Sequence, residues 1–258
     1  MNKFKAIIGG TGFKNLTGNF TPRTMATAYG STTIYIGEDA NDGLIFLPRH
    51  GANHTLPPHR INYRANIRAL ADLGVDKIIG IATVGSTNKN VPPGTVVNLS
   101  QFIDLTHGRP STFFDGEDDQ VAHADVTNPY CPVLRARLQA GAPAYELDPK
   151  PEGVYVCAEG PRLETAAEIR WIGHMGGDVV GMTGVPEAPL AREAGLCYAS
   201  LALVVNWGAG IQGDHLDMEQ MREMQNLVRD RVLRLARAVL LSQDKWDHCR
   251  CGTALLKP

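Results

Sequence analysis

Apolar residues along the chain form short runs that alternate with segments of helical periodicity. Seven runs bounded by Gly, Asp or Pro have the character of buried strands: FKAIIGG, GLIFLP, DKIIGIATVGS, GTVVNLSQFID, GVYVCAEG, DVVGM and CYASLALVVN. Helical patterns lie in INYRANIRALADLG, in Glu164–Met175, in Pro186–Ala194 and from about Asp217 to Ser242. This alternation predicts one α/β domain with a central, parallel or mixed β-sheet flanked by helices.

Composition and charge narrow the class of protein. The chain has 258 residues, 43% of them hydrophobic, a formal net charge of −2 and an isoelectric point near 6.4, which argues against a general nucleic-acid binder. Apolar runs are too short to span a bilayer, and MNKFKAIIGG lacks the features of a signal peptide. We therefore expect a cytoplasmic protein with no membrane or nucleic-acid partner, a domain over residues 1–243 and a C-terminal tail over 244–258.

The five cysteines are an odd number. Three lie among apolar neighbours and are expected to be buried thiols: Cys131, Cys157 and Cys197. Cys249 and Cys251 instead form a CxC pair in the tail DHCRCGTALLKP. A zinc site needs about four ligands and only His248 adjoins this pair. The sequence thus favours a solvated tail over a terminal disulfide or redox pair and over a metal site, and predicts no metal ligands.

One segment carries a local excess of positive charge. RHGANHTLPPHR, from Arg49 to Arg60, holds two arginines and three histidines, and no acidic residue occurs between Asp42 and Asp72. An Arg-His pair in a loop is often only solvated. Directly after a strand, however, Arg49 and His50 are also suited to binding an anion.

Three glycine-bearing strand ends supply further groups that bind oxyanions. IIGGTGF, ATVGSTN and VGMTGVPE each combine a turn with a hydroxyl, those of Thr11, Thr83 and Thr183. The first is not a dinucleotide fingerprint, because the third glycine is missing. Together with Arg49 and His50, these residues would provide a full set of donors for one phosphate, if the fold brings them together.

Several longer motifs carry a family resemblance. IIGGTGF, LPRHGANHTLPPHRINYRANIRAL, QFIDLTHGRPSTFFDG, AEGPRLETAAEIR and GMTGVPEAPLAREAGLCYASLALVVN resemble the trimeric purine nucleoside phosphorylase and methylthioadenosine phosphorylase family, in the family's order and over about Ala6 to Val239. The resemblance implies the single-domain nucleoside phosphorylase fold. It also implies phosphorolysis, in which phosphate attacks C1′ of a purine nucleoside and no cofactor is needed.

The resemblance assigns roles residue by residue. Phosphate would be bound by Thr11, Arg49, His50, Thr83 through its backbone, and Thr183. The base would be bound by Leu163, Glu164 and Asn206, and the ribose and its 5′-group by Met182, His123, Met218 and Met221. Asn206 and His50 would act on the reacting groups.

Two of these positions indicate which purine is bound. The 6-oxopurine branch of the family carries a Glu in its GPxxE motif and an Asn at the end of the late strand, whereas the methylthioadenosine branch has a small residue and an Asp-x-Asp pair. This sequence reads GPRLE, with Glu164, and LVVNWG, with Asn206. Adenine N1 has no proton to offer a carboxylate, so the base pocket favours hypoxanthine or guanine. A helix-start glutamate is the structural alternative for Glu164.

The motifs near the sugar resemble the methylthioadenosine branch instead. His123, in HADVTNPYC, stands where that branch reaches the ligand of a neighbouring subunit, which implies a homotrimer or a dimer of trimers. Met218 and Met221 suit a methylthio group, although methionines at helical spacing are commonly core residues.

The combination of an oxopurine base pocket with a methylthio-type sugar pocket resembles the branch of the family that cleaves S-methyl-5′-thioinosine. Alternatives are phosphorylases of inosine and guanosine or of methylthioadenosine, and more remotely a noncatalytic purine or phosphate sensor. Trp207 and Gly184 depart from the family pattern.

Overall fold

The computed structural model describes residues 4–10, 19–39, 42–116, 120–212, 217–243 and 249–256. The strands are β1 Lys5–Gly9, β2 Phe20–Thr27, β3 Gly30–Gly37, β4 Leu44–Pro48, β5 Lys77–Ser86, β6 Val96–Asn98, β7 Gln101–Asp104, β8 His123–Ala124, β9 Val154–Cys157, β10 Val179–Gly181, β11 Cys197–Trp207 and β12 Leu255–Leu256. The helices are α1 Tyr63–Asp72, α2 Pro132–Gly141, α3 Ala166–His174, α4 Glu187–Glu193 and α5 Met218–Leu241, with short 3-10 turns at Pro58–Arg60, Ala142–Tyr145 and Cys251–Thr253.

Within the described residues, one mixed sheet of ten strands organises the fold. Its main order is β2-β3-β4-β1-β5-β10-β9-β7, and β11 pairs with both β5 and β6. Strand β5 is the centre, because it pairs in parallel with β1 and β11 and antiparallel with β10. The prediction of an α/β domain with a central mixed sheet flanked by helices is confirmed.

The helices cover the two faces of this sheet. Ile67 of α1 and Leu190 of α4 belong to one buried cluster with strand residues such as Ile8. Leu134 of α2 and Val232 of α5 belong to a second cluster on the other side. The long apolar runs β5 and β11 are almost wholly buried, as expected for strands covered on both faces.

Helix boundaries follow local capping chemistry. The Asn62 side chain accepts from the Ala65 N–H at the start of α1, and Gly74, with φ +77°, follows its end. Thr165 and Glu168 form a capping box at the start of α3. Each predicted helix is present, with its ends displaced by a few residues.

Among the described helices and strands, five were not predicted from the apolar pattern: β2, β3, β8, β12 and α2. The β2–β3 hairpin is rich in Thr and largely exposed along β2, and its apolar run is limited to residues 34–36 of β3. Helix α2 buries only Leu134 and Leu138, a stripe too narrow to stand out in its sequence PVLRARLQAG.

The C-terminal segment packs on the domain over the part that is described. Cys251 and Ala254 are buried, and β12 pairs antiparallel with β8. The expectation of a solvated tail is therefore wrong for residues 249–256. No helix in the described ranges combines the length and apolar character needed to cross a membrane.

Candidate active site

A cavity opens where the carboxyl ends of β1, β4 and β11 converge beside the middle of β5 and the end of β10. Its volume is ≈ 820 Å³ when the open space at its mouth is included. Ligand sites in α/β folds gather at such strand ends. The predicted residues that line it are Arg49, His50, Thr83, Leu163, Glu164, Met182, Thr183, Asn206 and Met221. Thr11 lies outside the described residues, although the adjoining Gly10 is part of the lining.

Arg49 is held at one end of the cavity by a buried ion pair. Its Nε and Nη2 donate to the two carboxylate oxygens of Glu187 at 2.6 and 2.7 Å, and Nη1 donates to the Ile81 carbonyl at 3.0 Å. The Tyr198 hydroxyl donates to the same carboxylate at 2.6 Å. These bonds use three of the five guanidinium N–H groups and orient the remaining two, one on each Nη. Arg49 is thus a preoriented cation with donors available for an anion.

His50 is a neutral imidazole in this environment. Burial and the nearby charge of Arg49 lower the pKa of His50 to about 4. The hydrogen bond with the Leu56 carbonyl acts in the opposite direction, but it is outweighed. Nδ1 lies 2.8 Å from that carbonyl oxygen, which can only accept, so Nδ1 carries the proton. Nε2 therefore keeps its lone pair and lies on the side of Gly10, towards the cavity.

The depressed pKa of His50 predicts how stability depends on pH. An unfolded histidine takes up its proton near pH 6.5 and the folded one near pH 4, so protons favour the unfolded state in between. The contribution of His50 to stability is complete above pH 6.5 and is lost as the pH falls to about 4, by up to about 3 kcal/mol. In phosphate-free buffer, the urea midpoint of wild type should fall more steeply over this range than that of His50→Gln.

The control for this measurement is His59→Gln, because His59 is exposed in the same segment. Its pH profile should follow that of wild type. Parallel profiles for wild type and His50→Gln would contradict the buried neutral imidazole.

The backbone of β5 is open towards the cavity at Thr83. Strand β5 pairs with β1 as far as Ile81 and with β10 from Gly85 onward. In this register, residues 82–84 pair only with β11, and their other backbone edge borders the space in front of Arg49. This arrangement is the one expected if Thr83 contacts an anion through its main chain.

Thr183 offers the cavity its side chain rather than its amide. The N–H groups of Thr183 and Gly184 both donate to the Tyr155 hydroxyl, at 3.0 and 3.1 Å. A Cβ at position 184 would stand 2.8 Å from the Tyr155 ring, so Gly184 is required for the tyrosine to reach this turn. Gly184 therefore departs from the family pattern at a position where the packing of Tyr155 leaves no room for a side chain.

Glu164 adds an unsatisfied acceptor to the lining of the same cavity. Its Oε1 is buried, and within the described part of the chain no donor reaches it. Burial, with the neighbouring Glu168 charge, raises the pKa of Glu164. Because an isolated buried carboxylate oxygen is costly, this atom is suited to a ligand that brings its own donor.

A β-bulge places Asn206 in the same space. The register of β11 against β5 shifts between Val204 and Asn206, so that Asn206 lies opposite Gly85. The Asn206 Nδ2 donates to the Trp207 carbonyl at 2.7 Å, which leaves its second N–H and its Oδ1 for a ligand. Trp207 contributes this carbonyl, and its own side chain is not part of the lining.

Not every residue predicted for the 5′-group lies at the cavity. Met182 and Met221 line it, as does Pro58. Met218 is 57% exposed at the first turn of α5 and lies outside the lining, one helical turn before Met221. His123 is exposed in β8 and is also absent from the lining. Its contact with a second subunit stays a prediction.

Arg109 is a structural residue of the site that the sequence patterns did not reveal. Its Nη1 donates to the carbonyls of Met182 and Val185 at 2.9 and 2.8 Å, and its Nη2 donates to the carbonyl of Glu159 at 2.6 Å. Nε pairs with the Glu159 carboxylate at 3.0 Å. This Arg109 clamp joins the loops that follow β9 and β10, which carry Glu164 and Met182.

Comparison with known proteins finds similar sequences and structures along nearly the whole chain. Residues 6–241 match the sequence profile of the Phosphorylase superfamily. A 6-oxopurine nucleoside phosphorylase of Pyrococcus furiosus is 45% identical over 256 residues, 97% of each chain. A probable S-methyl-5′-thioinosine phosphorylase of Methanopyrus kandleri is 41% identical, over 96% of each chain. Among solved structures, a methylthioadenosine phosphorylase from an antarctic soil metagenomic library superimposes with a TM-score of 0.87 at 35% identity, over 99% of this chain and 92% of the other.

Proposed function

The chain belongs to the Phosphorylase superfamily, and on that premise we propose that it catalyses the phosphorolysis of a 6-oxopurine nucleoside, with S-methyl-5′-thioinosine as the preferred substrate. The products would be hypoxanthine and 5-methylthioribose 1-phosphate. Phosphate is a co-substrate, and the reaction calls for no further cofactor. The proposed setting is purine salvage in the cytoplasm.

The observation that carries this proposal is the unpartnered Glu164 oxygen in the cavity that also holds Arg49 and His50. A 6-oxopurine brings an N1–H donor, which would satisfy that oxygen. The remaining N–H of Asn206 can then donate to N7 or O6 of the same ring. A base bound there has its sugar directed towards Arg49 and His50, where the nucleophile would be bound.

Charge development explains what each group would do. As the bond from C1′ to the base nitrogen lengthens, the sugar becomes oxocarbenium-like and the base gains negative charge. Donation from Asn206 strengthens as that charge grows, which lowers the barrier. A phosphate oxygen then forms the new bond to C1′, and the purine leaves with the bonding electron pair and takes up a proton. Protein carboxylates are not required as nucleophiles.

His50 would complete the binding of phosphate through its free lone pair. A neutral imidazole with an unprotonated Nε2 accepts a hydrogen bond from a P–OH group, or takes up that proton and donates in return. The guanidinium of Arg49 balances the charge of phosphate in either case.

A second candidate is phosphorolysis of inosine or guanosine. It is favoured by the names of several relatives, including the 6-oxopurine nucleoside phosphorylase of Pyrococcus furiosus. The thioether of Met221 and the ring of Pro58 in the cavity favour a methylthio group over a hydroxyl at the 5′ position. Assays of methylthioinosine, methylthioadenosine, inosine and guanosine, with and without phosphate, decide between them. Release of base that does not depend on phosphate, or no release from any of the four, would contradict the proposal.

His123 provides a test of assembly. If His123 completes the site of a neighbouring subunit, the enzyme should be a trimer or a dimer of trimers in light scattering, and His123→Ala should raise the KM for methylthioinosine. Trimers refolded from an equal mixture of His123→Ala and Arg49→Lys chains should recover activity, because about one site in four would then combine both native residues.

The control is each variant refolded alone, which should recover none of the lost activity. A fully active monomer, or mixtures no more active than the average of their components, would contradict the role of His123 across the interface.

A further inference from the structure

Four of the five cysteines meet at one point in the fold. They come from three separate parts of the chain: the N-cap of α2, the first residue of β11 and the C-terminal segment. All four sulfur atoms lie within 4.8 Å of one another, and the sulfurs of Cys197 and Cys249 are 3.3 Å apart. The fifth, Cys157, lies in β9 and is not part of this group. We infer that the group binds a single structural zinc ion through four thiolates, those of Cys131, Cys197, Cys249 and Cys251.

The spacing of the sulfurs fits one tetrahedral ion. A zinc–sulfur distance of about 2.3 Å in a tetrahedron separates the sulfurs by about 3.8 Å. Two disulfides would only require the sulfurs to meet in pairs, at about 2 Å, and place no demand on the distance between the pairs. Mutual approach of all four sulfurs is the arrangement that a central ion produces.

The chemistry of the ligands favours zinc among the metals. A closed set of four thiolates is typical of a structural zinc site, whereas a catalytic one keeps a position open for water. Soft sulfur ligands in a tetrahedron select zinc or iron over magnesium or calcium. Cys131 at the N-cap of the ten-residue helix α2 is also placed where a thiolate is stabilised.

Burial indicates that the four thiols form a closed group rather than an exposed one. Cys131 and Cys251 are each 1% exposed, and Cys197 and Cys249 are half-buried against the same apolar cluster. Among the described residues, Cys197 and Cys249 form the side of this group that is in contact with solvent. A reagent therefore has limited access, which suits a stable structural ion.

The proposed ion is far from the reaction. Cys197 and Asn206 are nine residues apart along β11, which corresponds to about 30 Å. The ion would instead fasten the segment 249–256 to the sheet. Leu256 of that segment pairs with His123, and the Ala254 carbonyl accepts from the Asp125 N–H at 2.8 Å. The zinc site would thus support β8, the strand that carries His123.

The test measures metal and thiols on the same sample. Protein purified without an affinity tag that binds metal should contain about one zinc per chain by mass spectrometry, and five thiols should react after denaturation with a chelator. Cys249→Ser/Cys251→Ser should lose the zinc, whereas Cys157→Ala should retain it. Replacing zinc by cobalt should give the visible absorption of a tetrahedral thiolate complex.

A second measurement needs no substitution. Chelator should lower the Tm of wild type by several degrees, an excess of zinc should restore it, and the double serine variant should not respond. Several outcomes overturn the inference. They are one reactive thiol in place of five, which indicates two disulfides; iron in place of zinc; or fully reduced chain that takes up no zinc when it is offered.

Discussion

Wild-type protein is expected to cleave S-methyl-5′-thioinosine with a kcat/KM about 10⁴-fold above that for S-methyl-5′-thioadenosine. The reason is the buried oxygen of Glu164. Hypoxanthine offers this oxygen the N1–H, whereas adenine presents a lone pair to an oxygen that no donor in the described part of the chain satisfies. Because burial raises the pKa of Glu164, lowering the pH should narrow this preference, since the protonated carboxyl can donate to adenine N1.

The paired substitution Glu164→Ser and Asn206→Asp should narrow or reverse the ratio. Serine at 164 removes the repulsion with adenine N1, and a carboxylate at 206 can accept from the 6-amino group. Steady-state kinetics on both nucleosides at saturating phosphate measure the ratio. Glu152→Ser, at an exposed position that does not line the cavity, serves as the matched control and should keep the wild-type ratio.

Two results would contradict this assignment of Glu164. One is a wild-type enzyme that prefers methylthioadenosine. The other is a Glu164→Ser variant with unchanged base preference, which would reduce Glu164 to a residue preceding helix α3.

Arg49→Lys is expected to lower kcat/KM for phosphate by about 10²-fold while the protein stays folded. Lysine keeps the charge but loses the fork that bonds Glu187 and an anion at once. Loss of a hydrogen bond to a charged group costs about 1.5–3 kcal/mol, which gives this magnitude. Alanine is the wrong probe, because a buried Glu187 left without its partner would destabilise the fold by about 3–5 kcal/mol.

Arg60→Lys is the control for Arg49, since Arg60 belongs to the same basic segment but is exposed. It should leave phosphate kinetics unchanged. A folded Arg49→Lys protein whose KM for phosphate stays within about twofold of wild type would remove Arg49 from the phosphate site.

The parts of the fold that depend on local pattern were predictable from the sequence. Strands β5 and β11 are long apolar runs, and α1 ends before Gly74 as its sequence predicts. Arg49 and His50 were predicted to bind an anion because they follow a strand in a segment that contains no acidic residue. The family resemblance then identified Glu164 and Asn206, and the structure places both at one cavity with Arg49.

Features that depend on distant pairs were not predictable. Glu187 is 138 residues from Arg49, and its motif indicated only a helix start. Cys131 and Cys197 looked like ordinary core thiols, because only the tertiary fold brings them to Cys249. Met218 and Met221 lie one helical turn apart in α5. Sequence periodicity cannot tell which of the two lies at the cavity, because that depends on how the helix is oriented in the fold.

The Arg109 clamp has a consequence for the order of events in folding. It joins Arg109 to Tyr63, Glu159 and Met182, which are 46, 50 and 73 residues away. Contacts between such distant positions close long loops, which costs conformational entropy and slows folding in proteins that depend on them. We expect the loops around the cavity to reach their final shape only when the clamp has formed. We expect the clamp to form after the folding transition state, in which case it mainly slows unfolding and prolongs the lifetime of the folded site.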